Sequence, residues 1–490
     1  MRVHFVGVSG TGMGALALLF REAGHDVTGS DVNFDPPTGP ALRAAGIGCL
    51  QGYDATHVGK PDLVVVGNAI RKDNAEAVAA MQRGLPRSSM SSALREHFMA
   101  KRKPLVVAGT HGKTTTATMC AAILVGAGLE PGWFIGGAPK NLPASAAIGR
   151  TKRVLAGGGP NAPKPGPSPF VVEGDEYDAV YWHKQPKFLD YVGLGEDDVA
   201  IVTSIEQDHI DIYPDVTSYE SAFREFVRRI PPGGLVVCDA KDARVRAIVR
   251  EAARCRVAFY ALDREDTGDV TPTWLAAPST VDEDGHQSFD VFVGGSSCGR
   301  FSMRVSGSHN VRNALAAIAA CSEGFGVSTA AIKTALASFE GVKRRQDLLG
   351  EPGGIRVYDD FAHHPTAVDE TLQALRARHP NGDLFAVFEP RSATACRALH
   401  QQTYVGAFGP ATRVILAPLG RSNVPEAERL DLAKLAQDIG SRATLAASVE
   451  SIVETLRNEA KPGDTIALLS NGFFGGIHDK LLAALASSSS

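Results

Sequence analysis

The sequence predicts an α/β chain built mainly on parallel sheets, and three observations lead there. Short apolar runs ending in Gly, Asp, Asn or Glu recur: "VHFVGVSG", "DLVVVGNA", "PLVVAGTHG", "PFVVEGDE" and "VAIVTSIEQDH", then "GIRVYDDFAHH", "LFAVFEPRS", "RVILAPLG" and "DTIALLSNG". Continuous Val/Ile/Leu runs, rather than alternation, mark strands buried on both faces. Alanine-rich helical segments separate many of them, the pattern of parallel α/β sheets. The chain's 490 residues suffice for about three domains of roughly 150 residues each.

Two changes of composition divide the chain. "MAKRKP" (Met99 to Pro104) is a charged connector before the "LVVAGTHGKT" run, and "SFEGVKRRQDLLGEPGG" follows an alanine-rich helical region. These give expected domains of 1–102, 103–340 and 341–490. "AGGGPNAPKPGPSP" (Ala156 to Pro169), with five prolines and four glycines, has the composition of a solvated loop, and the terminal "SSSS" that of a frayed tail.

Composition is that of a globular protein, 44% hydrophobic and 21% charged. A net charge of −4 gives no general pull toward nucleic acid or anionic membrane, so neither is an expected partner. The seven scattered cysteines form no Cys-x-x-Cys pair and read as reduced core residues of a cytoplasmic enzyme. Glycines interrupt the first apolar run and no small-residue cleavage site follows, which argues against a signal peptide. No stretch is apolar enough to span a bilayer.

In parallel sheets ligands sit beyond the carboxyl ends of the strands, so the polar residues there are the ones to read. "FVGVSGTGMGALA" places Gly7, Gly10, Gly12 and Gly14 between a strand and a helix, with Asp31 closing the next strand. The spacing is Gly-x-x-Gly-x-Gly rather than the dinucleotide pattern. A diphosphate site, a nicotinamide site and a tight structural turn all remain open.

"PLVVAGTHGKTTT" is a stronger signal. A phosphate loop asks for glycine five residues before its Gly-Lys pair, and Val107 stands there. The functional groups are nonetheless present. Backbone amides of Gly109, Thr110, His111, Gly112, Lys113, Thr114 and Thr115 can cradle phosphates, Lys113 can reach the β/γ oxygens, and Thr114 can bind Mg²⁺. "VVEGDEYD" then closes one strand with Glu173, Asp175 and Glu176, and "TSIEQDHIDIYPD" the next with Glu206, Asp208, His209 and Asp211. One such carboxylate with Thr114 would suit Mg²⁺, which prefers oxygen ligands; solvated strand ends or helix caps are the alternative.

Taken in order, "GTHGKTT", "VEGDEYD", "DHIDIY", "SGSHNVRNALAA" and "YDDFAHHPT" resemble the motifs of the Mur ligases, ATP-dependent amide ligases of bacterial cell-wall synthesis, over essentially the whole chain. The resemblance implies Rossmann-like N- and C-terminal domains around a central P-loop ATPase domain. It implies a UDP-sugar carboxylate activated by ATP as an acyl phosphate and then attacked by an amine. Lys113, Glu173, His209 and Arg345 would be catalytic, with Thr114, Glu173 and His209 serving the metal. His309, Asn310 and Asn313 would lie at the adenine and Asp359 or Asp360 at the ribose; capping alone would explain one of the asparagines. Within the family, "SDVNFDPP", "GNAIRKDN" and "LLSNGFFGGIHDKL" resemble members that join UDP-N-acetylmuramate to the murein tripeptide L-Ala-γ-D-Glu-meso-diaminopimelate in recycling. Members that add L-alanine in the de novo pathway are the alternative.

On that reading Gly10, Gly12, Asp31 and Asn68 would meet the UDP-sugar, and Arg391, Asn471 and Gly472 the peptide, though Arg391 could equally sit in a structural ion pair. The expected assembly is a monomer or weak homodimer. One departure stands out: some relatives hold a second Mg²⁺ with a carbamylated lysine after the "DH" motif, and here Glu220 falls near that position. A nicotinamide-dependent oxidoreductase built on the first glycine loop would leave Lys113, Glu173 and His209 unemployed. A nucleotide-gated binding protein would need no amine.

Overall fold

A computed structural model describes residues 1–150, 167–282, 285–421 and 423–487. Most of the Pro/Gly-rich segment and the last three serines lie outside them. All nine apolar runs form strands, assembled in three α/β bodies along the chain.

The first body is an all-parallel five-stranded sheet in the order Gly48–Gln51, Asp26–Asp31, Arg2–Val6, Leu63–Val66, Arg87–Ser89. The order reverses beside Arg2–Val6, which opens a crevice at its carboxyl end. The glycine loop and helix Thr11–Glu22 sit at that point.

The central body is a ten-stranded sheet. Its parallel core runs Val199–Val202, Lys103–Ala108, Pro169–Glu173, so the phosphate-loop strand lies between the strands that carry the two acidic motifs. Helices Lys113–Gly126, Ser308–Phe325 and Thr329–Ala337 pack on one face, in one apolar cluster with Val107, Val171 and Ile201. Helices Val216–Arg229 and Ala243–Ala252 cover the other. The sheet is not parallel throughout. Trp274–Val281, Gln287–Val293 and Ser296–Met303 extend it as an antiparallel meander. The connector before Lys103 also departs from a plain charged linker, because Arg102 is buried with its guanidinium 5.5 Å from the Phe170 ring centroid.

The third body is a six-stranded sheet, parallel except for Asp347–Gly350 at its edge. It is reached through a linker in which Gly341, Arg344 and Gln346 take positive φ of 92°, 60° and 48°. All seven cysteines are free thiols. No helix among the described residues is long and apolar enough to cross a membrane.

Candidate functional site

The phosphate loop turns directly off strand Lys103–Ala108. Val107, the residue that breaks the usual spacing, lies inside this strand, fully buried and paired with Ile201 and Glu173. The loop proper therefore begins at Gly109, and helix Lys113–Gly126 follows it. Gly112 precedes that helix at φ 76°, and a Cβ there would stand 2.3 Å from Asn313 Oδ1. Only glycine fits both constraints. Thr110 is fixed through its hydroxyl, which donates to the Glu206 carbonyl at 2.9 Å. Thr115 is buried in the first helical turn.

Lys113 reaches across the loop. Its Nζ donates to Gly109 O at 2.6 Å and to Glu176 at 2.8 Å. Burial alone would lower its pKa, but the charges of Glu176, Glu173 and Asp175 outweigh that and raise it, so the ammonium is charged. Thr114 Oγ1 donates to Glu173 at 2.7 Å, and the other Glu173 oxygen accepts from Gly136 N at 2.6 Å. A hydroxyl and a carboxylate thus converge at the start of the helix. His209 holds a left-handed φ of 54° and stands 3.8 Å from Glu176. Lys113, Thr114, Glu173 and His209 are thus gathered at one end of the sheet.

Glu176 was legible as part of an acidic run, but its part in holding Lys113 was not. Tyr219 escaped the sequence reading altogether; its OH donates to Glu176 at 3.1 Å and lies 3.0 Å from Thr110 Oγ1. The only signal was its place on the amphipathic helix after the "DHIDIY" motif. Glu220, next in sequence, points elsewhere and pairs with Arg244 at 3.3 Å.

On the adjoining side, helix Ser308–Phe325 brings Asn310 and Asn313 to the loop. Asn310 Nδ2 donates to Ser306 O at 2.8 Å, and the helix start, Gly307, has no side-chain cap, so neither asparagine is there for capping. His309 is half-buried, with Nε2 3.0 Å from Gln346 Nε2 and a buried Nδ1 that has no partner among the described residues. Burial lowers its pKa and keeps it neutral at physiological pH. Asp359 pairs with Arg344 at 2.9 Å and His478 at 3.2 Å, while Asp360 accepts the backbone N–H of Gln346 and Ala362. Arg345 has no ion-pair partner among the described residues; its guanidinium lies over Phe361, 5.0 Å from the ring centroid.

The first body's crevice forms a cavity of about 770 Å³ lined by Gly7, Ser9, Gly10, Asp31, Asn33, Asn68 and Arg71, among others. Asp31 accepts from Ser9 N at 2.8 Å and so fixes the glycine loop. Gly12 does not line the cavity. It lies in the helix against Met90, where a Cβ would stand 2.8 Å from the sulfur, so its glycine serves packing.

In the third body, Arg391 is cradled by two glycines. A Cβ on Gly472 would stand 2.1 Å from Arg391 Cδ, and one on Gly420 2.9 Å from its Cγ. Its guanidinium is 3.4 Å from Glu389, which also accepts from Ser470 Oγ at 2.5 Å. Asn471 Oδ1, beside it, is buried and unpartnered.

Comparison with known proteins accords with this arrangement. Three family models match in order: "Mur ligase family, catalytic domain" over residues 2–102, "Mur ligase middle domain" over 183–321 and "Mur ligase, glutamate ligase domain" over 344–472. The Escherichia coli (strain K12) UDP-N-acetylmuramate–L-alanyl-γ-D-glutamyl-meso-2,6-diaminoheptandioate ligase is 36% identical, covering 99% of this chain and 98% of its own. The UDP-N-acetylmuramate–L-alanine ligase of Roseiflexus sp. (strain RS-1) is 35% identical, covering 96% of each. Among solved structures, a murein peptide ligase from Psychrobacter arcticus superposes with a TM-score of 0.71 at 33% identity, covering 99% of both chains. The UDP-N-acetylmuramate–alanine ligase of Thermotoga maritima gives 0.76, but at 24% identity over the whole of both chains it speaks for the fold alone. Whole-length identity to these ligases and three consecutive domain matches, on a chain whose loop lysine and strand-end acids meet at one site, make it a member of the Mur ligase family.

Proposed function

We propose that this enzyme joins UDP-N-acetylmuramate to the tripeptide L-Ala-γ-D-Glu-meso-diaminopimelate, converting ATP to ADP and phosphate. The observation that carries the ligase chemistry is the charged, half-buried Lys113 held beside the Thr114–Glu173 pair at the carboxyl ends of two neighbouring strands. The tripeptide is favoured by similarity to the E. coli enzyme along nearly the whole chain.

The first step is attack of the sugar carboxylate on the γ-phosphorus of ATP, with ADP leaving and an acyl phosphate forming. Two anions must approach, so concentrated positive charge is the main requirement. Lys113 supplies one charge and Arg345, which has no ion-pair partner among the described residues, a second. The Thr114 hydroxyl and Glu173 carboxylate offer adjacent oxygens that fit Mg²⁺, with His209 nearby; the ion would neutralise phosphate charge. Asn310, Asn313 and His309 are assigned to the adenine side. Asp359 and Asp360 are assigned to the ribose, which requires Asp359 to loosen its pairing with Arg344 and His478.

In the second step the tripeptide amine attacks the acyl carbon and phosphate leaves. That amine must be a free base, and an α-amino group titrates near pH 8, so a reactive fraction exists at neutral pH. L-Alanine and a tripeptide beginning with it present the same nucleophile. Discrimination must therefore come from the pocket, and Arg391 with Asn471 and Gly472 offers a cation and polar groups for the additional carboxylates.

The test is a side-by-side assay of UDP-N-acetylmuramate and ATP with each amine, read by mass spectrometry of the UDP-linked product. The tripeptide should give the higher kcat/KM. A higher kcat/KM for L-alanine would assign the chain to the de novo step.

A further inference from the structure

Where the third body meets the phosphate loop, three side chains converge that the ligase chemistry leaves unused. Glu206 Oε2 stands 3.2 Å from His111 Nε2 and 3.4 Å from His364 Nδ1, and the three donor atoms lie within 4.8 Å of one another. His111 belongs to the loop, Glu206 follows strand Val199–Val202, and His364 begins helix Pro365–Arg378 of the third body.

A zinc ion with nitrogen and oxygen ligands at about 2.0–2.1 Å in a tetrahedron separates its donors by roughly 3.3 Å. Two edges of this triangle already have that length. We propose that His111, Glu206 and His364 form a binding site for a divalent transition metal of the zinc class, clamping the third body onto the nucleotide loop.

The surroundings support this. Thr366 Oγ1 donates to Glu206 Oε2 at 2.7 Å, the outer hydrogen bond that orients a ligating carboxylate. Burial lowers the pKa of His364 well below its ordinary value, and the neighbouring imidazoles His111 and His400 lower it further, so the ring is neutral as ligation requires.

Helix capping is the simpler use for His364, but it does not account for the imidazole. Thr366 N reaches its Nδ1 only at 3.4 Å, a long bond, and asparagine would cap at least as well. Two nitrogens and one oxygen also select against Mg²⁺, which prefers an all-oxygen octahedron. The site is thus chemically distinct from the Thr114–Glu173 pair.

The experiment is a Co²⁺ titration of the chelator-stripped full chain in excess Mg²⁺, followed by the visible ligand-field bands of four-coordinate cobalt and their loss on adding Zn²⁺. One equivalent per chain should bind. His364→Asn keeps the helix cap and Glu206→Gln keeps the side-chain volume, yet each should weaken binding by roughly tenfold or more. His209→Ala, which alters the Mg²⁺ side, should leave the bands unchanged. Zn²⁺ should also raise the melting temperature of the parent chain but not of His364→Asn. Absent bands, bands that persist in both His364→Asn and Glu206→Gln, or bands lost in His209→Ala alone would overturn the proposal.

Discussion

At the scale of single residues, Lys113 is held by the buried Glu176 carboxylate at 2.8 Å, so the two respond to substitution as a pair. Lys113 announces itself by following glycine and preceding threonines at a strand-to-helix turn, but nothing in sequence says that buried Glu176 holds it. That partner changes what a substitution does. On the proposed mechanism Lys113→Ala removes a charge acting on the transferred phosphate, an expected loss of about 3–4 kcal/mol or roughly 10²–10³ in rate. It also leaves the Glu176 carboxylate, 1% exposed, without its ammonium, and breaking such a pair destabilises by about 3–5 kcal/mol. Lys113→Ala should therefore lower both turnover and melting temperature. Adding Glu176→Gln should restore much of the melting temperature and none of the turnover. If the double variant recovers catalysis, Lys113 serves the fold rather than the phosphate. Glu173→Gln tests the neighbouring pair, since a neutral amide keeps the shape but weakens any hold on a cation. Mg²⁺ titration of initial rates should shift to higher concentration, and an unchanged curve would reduce Glu173 to a strand-end carboxylate that orders Gly136.

At the scale of elements, the parallel strands were legible because strands buried on both faces need unbroken apolar runs. The antiparallel meander follows the other rule: in Gln287–Val293 burial alternates, with Phe289 and Val291 inside, and Gly294–Gly295 makes the turn. That alternation was present in "SFDVFVGGSS" and masked by the apolar runs elsewhere. The glycine-rich turn after strand Thr465–Leu469 was readable as a loop, but not as the wall that positions Arg391. Gly472→Ala puts a methyl where Arg391 Cδ now lies, so the guanidinium must swing away. A charge-assisted hydrogen bond contributes about 1.5–3 kcal/mol, so the KM for the peptide should rise roughly 10- to 100-fold with the KM for ATP unchanged. Equal changes in both constants would point to general damage to the third body.

At the scale of the molecule, the three bodies are joined by different physics, and this predicts which of them moves. The first and central bodies share one apolar cluster in which Phe5, Met13 and Met90 are continuous with Phe134, Phe170 and Phe223. Separating them would return that surface to water at roughly 25 cal/mol per Å². The third body instead keeps its own clusters and meets the centre through polar contacts: Lys140 with Asp347 at 2.6 Å, Arg312 with Glu370 at 3.6 Å, and Thr366 with Glu206. Such polar contacts between partly buried side chains can be exchanged for contacts with water as the bodies separate, which an apolar cluster cannot do. The linker carries left-handed residues at Gly341, Arg344 and Gln346, a place where backbone angles can be redistributed. An acyl phosphate must also be kept from water, which favours closure after nucleotide and sugar bind. The third body should therefore rotate while the first two stay together. Small-angle scattering should show a smaller radius of gyration with the non-hydrolysable ATP analogue AMPPCP, Mg²⁺ and UDP-N-acetylmuramate than without ligands. A distance measured between spin labels on the first and central bodies should hold constant, while one from the central to the third should shift. A constant central-to-third distance would mean that the arrangement described above is already the reactive one.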